Sequence, residues 1–290
     1  MGPLYECLDG HIVLTGYAPD GDSIRFLPND SAPLANLQRS SLIRWSPVSG
    51  SVQLRLEGVD APELHYAAAG QPRGASARDA LLGWLGVTDV RCAPDGTTID
   101  SAAPAIVPAT ILTGAADAHG RVIAYLLRAC PSAGARRHRV TPAVLKQTAN
   151  HVLLAAGHVY PLAYTSQPRE HRDMFRATAR KARAKRLGVW SDDATARGFD
   201  LRGARSVGPR GALIFPKLFR RCIDYFADRV QGFDGSFVDW LSGHGSGGET
   251  RPDRVVLRHA ANVLLSSLVQ QRERHVALTT DLLDLVWVET

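Results

Sequence analysis

The sequence predicts an α+β protein, in which a small antiparallel β-barrel carries three helices and precedes a smaller, mainly helical C-terminal region. Three patterns support this fold class. Short apolar runs separated by turn residues occupy the first half of the chain, three stretches with helical spacing accompany them, and a glycine-rich linker near residue 200 introduces a different apolar pattern. With 290 residues the chain is long enough for two modest units. We therefore expect one domain over residues 1–199 and an appendage over residues 200–290.

The strand predictions rest on apolar runs bounded by turn signals. Asp20-Gly21 suits the tight connection of a hairpin, whereas the proline-containing, irregular stretches 28–50 and 93–108 are typical of insertions. Strands are predicted at residues 11–15, 23–27, 52–59, 90–92, 109–113 and 121–127. Their number fits a small barrel but does not by itself distinguish one barrel type from another.

Helical spacing predicts three helices in the first domain. Apolar residues recur on one face over residues 73–87, and the third helix is predicted at 170–187. Between these two, Thr141-Pro142 is a typical helix start and Gly157 is a natural stop.

The C-terminal region has its own pattern. Helical spacing over residues 213–226, followed by apolar stretches at 255–269 and 276–288, predicts a mostly helical appendage. Basic residues oppose phenylalanines on its first helix, which favours packing on neighbouring helices over a membrane-surface or DNA-facing role. The phenylalanines are alternatively a dimer or partner interface. The basic residues are Lys217, Arg220 and Arg221, and the phenylalanines are Phe215, Phe219, Phe226 and Phe233.

Composition restricts the possible partners and compartments. The net charge of +6 favours a polyanionic partner, because each Lys or Arg that neutralises a phosphate releases counterions. The four cysteines lack the paired spacing of zinc sites or dense disulfide frameworks, so we expect reduced, mostly buried thiols. Neither a signal-peptide pattern nor a run of roughly 20 apolar residues occurs, so we expect a cytoplasmic location and no membrane partner.

Carboxylates and arginines stand at the ends of the predicted strands. Asp22 and Asp60 are hard oxygen donors that suit a divalent cation such as calcium, and Glu63 follows closely behind a rigid proline. Arg55 and Arg121 each offer a planar guanidinium that can bind a phosphate in a bidentate manner. Hydrolysis of a phosphodiester needs such a set, because cations must offset charge at phosphorus while a base activates water.

These residues lie in local sequences that resemble the staphylococcal nuclease (thermonuclease) family. The sequences are Leu-Arg-Leu around Arg55, Val-Asp-x-Pro-Glu at 59–63 and Gly-Arg-x-x-Ala-Tyr at 120–125. The resemblance covers about residues 9–193, and Asn150 and a closing Gly-Val-Trp-Ser agree with it. It implies the family's oligonucleotide-binding-type five-stranded barrel with three helices.

The resemblance also implies an activity and the residues responsible. The activity is that of a calcium-dependent nuclease, which cleaves DNA and RNA and leaves 3′-phosphate ends. Matching positions assign calcium binding to Asp22, Asp60 and the backbone carbonyl of Ala61, activation of water to Glu63, and phosphate binding and transition-state stabilisation to Arg55 and Arg121.

Further contacts to nucleic acid are also expected. His119 stands where the family has a tyrosine, and Ala163-Tyr164-Thr165 replaces a pair of alternating tyrosines, which alters the pocket for a terminal nucleotide. A basic stripe on the third helix could follow a nucleic-acid backbone or form a solvated face. The stripe consists of Arg172, Arg176, Arg180 and Arg183, and the expected nucleic-acid-binding residues are Arg172, Arg176, Arg180, His119 and Tyr164.

Two other functions fit the same sequence. One is a catalytically silent module that binds nucleic acid or protein through a nuclease-like barrel. The presence of all five polar residues argues against it, because inactive relatives typically lack several of them. The other is a nuclease effector that is regulated by its C-terminal region or by a partner. Residues 200–290 could also mediate a homo-oligomer or bind a protein partner.

Overall fold

The chain folds into a β-barrel with helices and small additional sheets. The structure is a computed structural model that describes residues 3–131, 134–245, 247, 250–257 and 262–289. The strands, numbered along the chain, are β1 (Leu4–Val13), β2 (Ser23–Pro28), β3 (Val52–Leu56), β4 (Val59–Asp60), β5 (Thr88–Cys92), β6 (Ile99–Ala103), β7 (Ile106–Ala116), β8 (Val122–Leu127), β9 (Arg137–Arg139), β10 (Tyr160–Pro161), β11 (Phe199–Asp200), β12 (Arg254–Leu257), β13 (Asn262–Leu264), β14 (Val269–Arg272), β15 (His275–Leu278) and β16 (Leu285–Trp287). The α-helices of the described residues are α1 (Gly74–Trp84), α2 (Pro142–Leu145), α3 (Ala149–Ala156), α4 (Arg169–Ala184), α5 (Pro216–Val230) and α6 (Phe237–Gly243). None of these helices combines the length and the apolar character that crossing a lipid bilayer requires.

Strand β1 closes the barrel. The strands follow the order β2, β3, β8, β7 and β1, and β1 returns to pair with β2, while β9 adds an extra edge to β1. All of these pairs are antiparallel except β3 with β8. Gly10 permits the closure, since a Cβ there would lie only 2.3 Å from the carbonyl oxygen of Leu27 on β2. The predicted α+β fold class, with a closed five-stranded barrel, is confirmed.

Local capping explains where the helices of the first domain begin and end. The predicted helix 141–157 is two helices, because both Thr141 and Thr148 act as N-caps and accept hydrogen bonds from backbone N–H groups at the starts of α2 and α3. Gly157 ends α3 with a left-handed φ of 76°. The predicted insertion 93–108 instead contains β6 and the start of β7. Strand β6 pairs with β5 in a hairpin. The proline and glycine residues of this stretch had indicated an irregular insertion instead.

The C-terminal region is not mainly helical over its whole length. The first apolar stretch forms α5, as expected, but the described residues of the later stretches, 255–257, 262–269 and 276–288, form short strands, 3₁₀ turns and their connections. Strand β12 pairs with β13 and β16, and β15 pairs with β11 and β14. The apolar residues of these stretches are buried in small sheets against the rest of the protein, so tertiary packing overrides the expected helical periodicity.

The C-terminal region packs directly on the barrel domain. Trp287 of β16 exchanges backbone hydrogen bonds with the segment after β10, donating to the carbonyl of Ala163 at 2.8 Å and accepting from the N–H of Thr165 at 2.9 Å. The ring of Phe215, at the start of α5, stacks on Trp287 and meets Tyr160 edge-on. Phe219 is also fully buried. Phe215 and Phe219 therefore belong to the internal core, which corrects the expectation that they form a partner interface.

Candidate active site

One cleft brings the predicted residues together. It has a volume of about 720 Å³ and is lined by the ends of barrel strands on one side and by residues of α5 on the other. Among the residues that line it are Asp22, Arg55, Asp60, Glu63, His119, Arg121 and Tyr164. Strand ends, turns and one tyrosine from the segment after β10 supply these side chains, so closure of the barrel assembles the cleft.

The turn before β2 places the first carboxylates. Gly21 lies so close to its neighbours that a Cβ there would be 2.7 Å from the Cβ of Ala61 and 2.6 Å from that of Ala77. This close approach lets a carboxylate oxygen of Asp22 accept a hydrogen bond from the N–H of Ala61 at 3.2 Å. Asp20 is anchored in the same turn and accepts from the N–H of Leu64 at 3.2 Å. The turn and the segment after β4 are thus joined.

Asp60 and Glu63 come from β4 and the loop that follows it. Asp60 is almost completely buried and pairs through its backbone with Tyr160 on β10. The loop at Glu63 is held by Gln71, whose side-chain oxygen accepts from the N–H of Glu63 at 3.1 Å and whose N–H donates to the carbonyl of Glu63 at 2.8 Å. The side-chain amide nitrogen of Gln71 donates to the carbonyl of Ile214 at 2.8 Å, which links this loop to the C-terminal region.

Burial is the main influence on the pKa of three acidic side chains in the cleft. Burial, and then the adjacent carboxylates, raise the pKa of Asp20. Burial and the charge of Asp60 likewise raise the pKa of Asp22. Burial raises the pKa of Glu63 to about 7, although Arg220 acts in the opposite direction. Such a set of buried oxygen donors is chemically suited to a hard divalent cation such as calcium.

Two arginines stand at the edge of the acidic group. Arg55, on β3, is buried, and its guanidinium carbon lies 5.3 Å from the centre of the Tyr164 ring. Arg121, at the start of β8, is half exposed, and its Nε donates to Asp117 at 2.7 Å. Asp117 also accepts from the backbone N–H of Arg121 at 2.9 Å, so the turn orients this guanidinium. His119 lies exposed in the same turn.

Tyr164 connects the arginines with the C-terminal region. Its hydroxyl accepts a hydrogen bond from Nζ of Lys217 at 3.3 Å, and the same ammonium lies 4.4 Å from the centre of the Trp287 ring. Burial alone would raise the pKa of Tyr164, but the cations Lys217 and Arg55 outweigh this effect, and the pKa is lowered. Lys217 was expected on an outer face of α5, whereas it is buried in the cleft wall.

Arg220 of α5 enters the acidic group itself. Its Nη2 donates to both carboxylate oxygens of Asp60, at 3.1 and 3.0 Å, and its Nη1 forms a close ion pair with Glu63. Within the described parts of the chain, no three acidic side chains of the cleft bring oxygen atoms within 4.8 Å of one another. The donor chemistry therefore suits calcium, whereas the guanidinium of Arg220 holds two of the donors.

The basic stripe on α4 faces the C-terminal region. Arg176 is only 8% exposed, and it donates to the carbonyl of Leu283 and to Asp173. Arg180 and Arg183 pair with Asp284 and Asp281, respectively, and the latter pair is bidentate with two distances of 2.7 Å. Arg176 is therefore buried, whereas the side chain of Arg180 remains 44% exposed. That Arg176 and Arg180 bind nucleic acid stays a prediction. Arg172 contacts the carbonyl of Tyr164 at 3.5 Å.

Three functional residues were not recognised from the sequence. Asp20 had a visible signal, because it lies two residues before Asp22 in the same turn. Lys217 and Arg220 had none that pointed to the cleft, because Arg220 is 157 residues away from its partner Glu63 along the chain. Only the docking of α5 brings it there.

Comparison with known proteins finds a family that part of the chain resembles. Residues 53–192 match the family model described as staphylococcal nuclease homologue. No curated protein matches the chain. The matched segment contains Arg55, Asp60, Glu63 and Arg121, whereas Asp22 and Arg220 lie outside it. Over residues 53–192 the chain is therefore similar to the staphylococcal nuclease homologue family, and its closed five-stranded barrel is extended by a C-terminal region that contributes to the same cleft.

Proposed function

We propose that this protein is a calcium-dependent, sugar-nonspecific nuclease that hydrolyses DNA and RNA to products with 3′-phosphate ends. The observation that supports this proposal is the convergence of Asp22, Asp60 and Glu63 with Arg55 and Arg121 on one cleft. Buried carboxylates beside two arginines provide the two opposite charges that hydrolysis of a phosphodiester requires. The similarity of residues 53–192 to staphylococcal nuclease homologues supports the same reaction class.

The proposed roles follow from position and charge. Asp22, Asp60 and the backbone carbonyl of Ala61 would hold calcium, which would offset negative charge on the phosphate and make the attacking water more acidic. Glu63 would accept the proton of that water, since a carboxylate with a pKa near 7 is a stronger base than an ordinary one. Arg55 and Arg121 would bind the phosphate oxygens.

The bond changes are simple. Water attacks phosphorus, its proton passes to Glu63, and the bond from phosphorus to the 5′ oxygen breaks, so that this oxygen leaves as an alkoxide and takes a proton from solvent to become the 5′-hydroxyl. The phosphate then remains on the 3′ oxygen. Arg121 pairs with Asp117, and its side chain is 34% exposed, so it can follow the charge that develops on the leaving oxygen. Tyr164, His119 and Arg172 are proposed to contact the neighbouring nucleotides.

The test is cleavage of labelled single-stranded DNA and of RNA with calcium, with magnesium and with a chelator. We expect calcium-dependent cleavage of both, and a loss of at least about 100-fold in Glu63→Gln and Arg121→Ala, which remove a general base and a charge-stabilising group. Glu170→Gln and Arg91→Ala are matched controls on exposed positions outside the cleft. Binding without cleavage in the unsubstituted protein would favour the silent binding module instead.

A second function is supported by Arg220, namely a nuclease whose activity its C-terminal region controls. The guanidinium of Arg220 holds Asp60 and Glu63, so calcium and Arg220 compete for the same carboxylate. Removal of one hydrogen bond to a charged group typically changes a free energy by about 1.5 to 3 kcal/mol, which corresponds to a change of at least tenfold in affinity.

Calorimetry of calcium binding separates this function from the first. We expect Arg220→Ala to bind calcium at least about tenfold more tightly than the unsubstituted protein. Arg229→Ala, on the exposed side of the same helix, should leave the affinity unchanged. Unchanged calcium affinity together with slower cleavage would mean that Arg220 assists substrate binding and does not restrain the site.

We also propose a cytoplasmic location and nucleic acid as the partner. The four cysteines are not joined in disulfides, which is in keeping with a reducing, cytoplasmic location. DNA and RNA are the proposed partners. An assembly through residues 200–290 would use apolar surface that remains exposed, such as Val230, which is 89% exposed. Light scattering of the purified protein with and without nucleic acid would reveal such an assembly.

A further inference from the structure

Two thiols and one imidazole form a half-buried cluster away from the cleft. The Sγ atoms of Cys7 and Cys130 are 3.1 Å apart, and Nε2 of His138 lies 3.6 Å from Sγ of Cys130. The three atoms all lie within 4.8 Å of one another. Among the described residues, no other group of three cysteine, histidine or acidic side chains has its ligand atoms this close together.

Pairing of β1 with β9 creates the cluster. Tyr5 lies opposite His138 in this antiparallel pair, and Cys7 is two residues further along β1, on the same face. His138 and Cys7 are therefore diagonal neighbours across two strands. The N–H of Cys7 donates to the carbonyl of Arg136 at 2.8 Å, which keeps the strands in register. Cys130 reaches the same face from the segment that leaves β8.

We propose that Cys7, Cys130 and His138 bind a zinc ion, with water as the fourth ligand. Zinc prefers a tetrahedral set of thiolate and imidazole ligands, with bonds of about 2.3 Å to sulfur and about 2.0 to 2.1 Å to nitrogen. A tetrahedron with these bonds has edges of roughly 3.8 Å between sulfurs and roughly 3.6 Å between sulfur and nitrogen. The distance from Cys130 to His138 matches the second edge. The sulfur pair needs an outward movement of less than 1 Å.

The third ligand distinguishes this site from a disulfide. A disulfide joins two sulfurs at about 2.05 Å and does not require an imidazole beside them. Here the imidazole is directed at the sulfur pair, and all three residues are half buried, which leaves access for an ion and a water molecule. On binding, both thiols release their protons to solvent, because zinc takes the thiolate form.

The zinc ion would fasten the segment after β8, together with the edge strand β9, to β1. Leu4 and Tyr5 at the start of β1 line the cleft, so the ion would also stabilise one wall of it. This role does not depend on the proposed nuclease activity. The measurements below therefore do not use cleavage as their readout.

Titration of the full-length, metal-free protein with Co²⁺, followed by displacement with Zn²⁺, tests the proposal. Cobalt bound to cysteine gives a thiolate-to-metal charge-transfer absorption, which carboxylates do not give. We expect the absorption to saturate at one equivalent of cobalt per chain and to disappear on addition of zinc. The melting temperature should be several degrees higher with zinc than with a chelator. Cys130→Ser and His138→Gln should weaken binding at least about tenfold.

Control variants locate the ion. Cys92→Ser, at a half-buried cysteine outside the cluster, and His11→Gln, further along β1, should keep the full absorption. Asp60→Asn should also keep it, which excludes the cleft as its source. A mass lower by two hydrogens than that of the fully reduced chain, together with only two titratable thiols instead of four, would show a disulfide and overturn the proposal. Four free thiols without the cobalt absorption in the unsubstituted protein would overturn it as well.

Discussion

At the scale of the residue, burial decides the charge state of the cleft. Glu57 faces the cleft beside Arg55, and burial raises its pKa to about 7, while Arg55 acts against this shift. Asp20 and Asp22 are subject to the same effect of burial. The cleft therefore carries carboxyl groups that resist ionisation, and ionising them costs folding free energy.

The first prediction concerns Glu57. Its pKa is higher in the folded state than the unfolded value of 4.5, so the penalty is absent below about pH 4.5 and complete above about pH 7. Stability is therefore lost as the pH rises through this window. We expect Glu57→Gln to raise the free energy of unfolding above that of the unsubstituted protein, and this increase should be about 1 to 3 kcal/mol larger near pH 8 than at pH 5. Urea unfolding at both pH values measures the gain.

Glu170→Gln provides the control for this measurement, because Glu170 is exposed at the start of α4. It should leave the pH dependence of stability unchanged. Equal pH profiles for the two variants would mean that Glu57 is ionised in the folded protein at neutral pH.

At the scale of the element, α4 illustrates how a basic stripe becomes an internal interface. Asp281 and Asp284 lie in the turn between β15 and β16 and receive the guanidinium groups of Arg183 and Arg180. Arg176 lies beneath them, and its stem packs against the same turn. These ion pairs hold the C-terminal region on the barrel domain, and α5 is positioned over the cleft as part of the same region.

The second prediction is that Arg176→Ala destabilises the protein by about 2 to 4 kcal/mol, because it removes a buried guanidinium and leaves the carbonyl of Leu283 and the carboxylate of Asp173 without its hydrogen bonds. Arg169→Ala on the same helix should cost less than about 0.5 kcal/mol, since that side chain is 88% exposed and its ion pair is long, at 3.6 Å. Urea unfolding at constant pH measures both. Similar losses for the two variants would show that Arg176 is not buried in solution.

At the scale of the whole molecule, a single core joins the two regions. Buried residues of the barrel, of α5 and of the C-terminal strands belong to one continuous hydrophobic cluster. Trp287 stands at the centre of the junction, where it stacks on Phe215, lies beneath Lys217 and bonds through its backbone to residues 163 and 165. The cleft is therefore a property of the assembled chain.

The third prediction concerns this junction. Trp287→Ala should cost about 3 to 5 kcal/mol, which is typical of the loss of a large buried aromatic side chain. It should also weaken the hold of α5 on the cleft, so trypsin should cut after Arg220 sooner than in the unsubstituted protein. Trp45→Ala, at a tryptophan that is 44% exposed, is the control. Equal stability of the two variants would contradict the proposed importance of the junction.

The sequence by itself determined the barrel strands, the helix caps at Thr141 and Gly157, and the candidate residues near Asp22 and Glu63. These features depend on short-range patterns, namely the alternation of apolar residues, capping and turn chemistry, which a linear reading can recognise. That these residues act together in one site was an expectation that rested on the resemblance to the nuclease family.

Only the tertiary structure decided which long-range contacts form. Three sets of contacts each join residues about 100 or more positions apart. They are the entry of Arg220 into the acidic group, the pairing of arginines on α4 with Asp281 and Asp284, and the meeting of Cys7 with Cys130 and His138. The apolar stretches after residue 250 became strands for the same reason, since they gain partners in neighbouring strands that no local pattern specifies. Such contacts depend on how whole elements dock, and docking is set by the packing of the shared core.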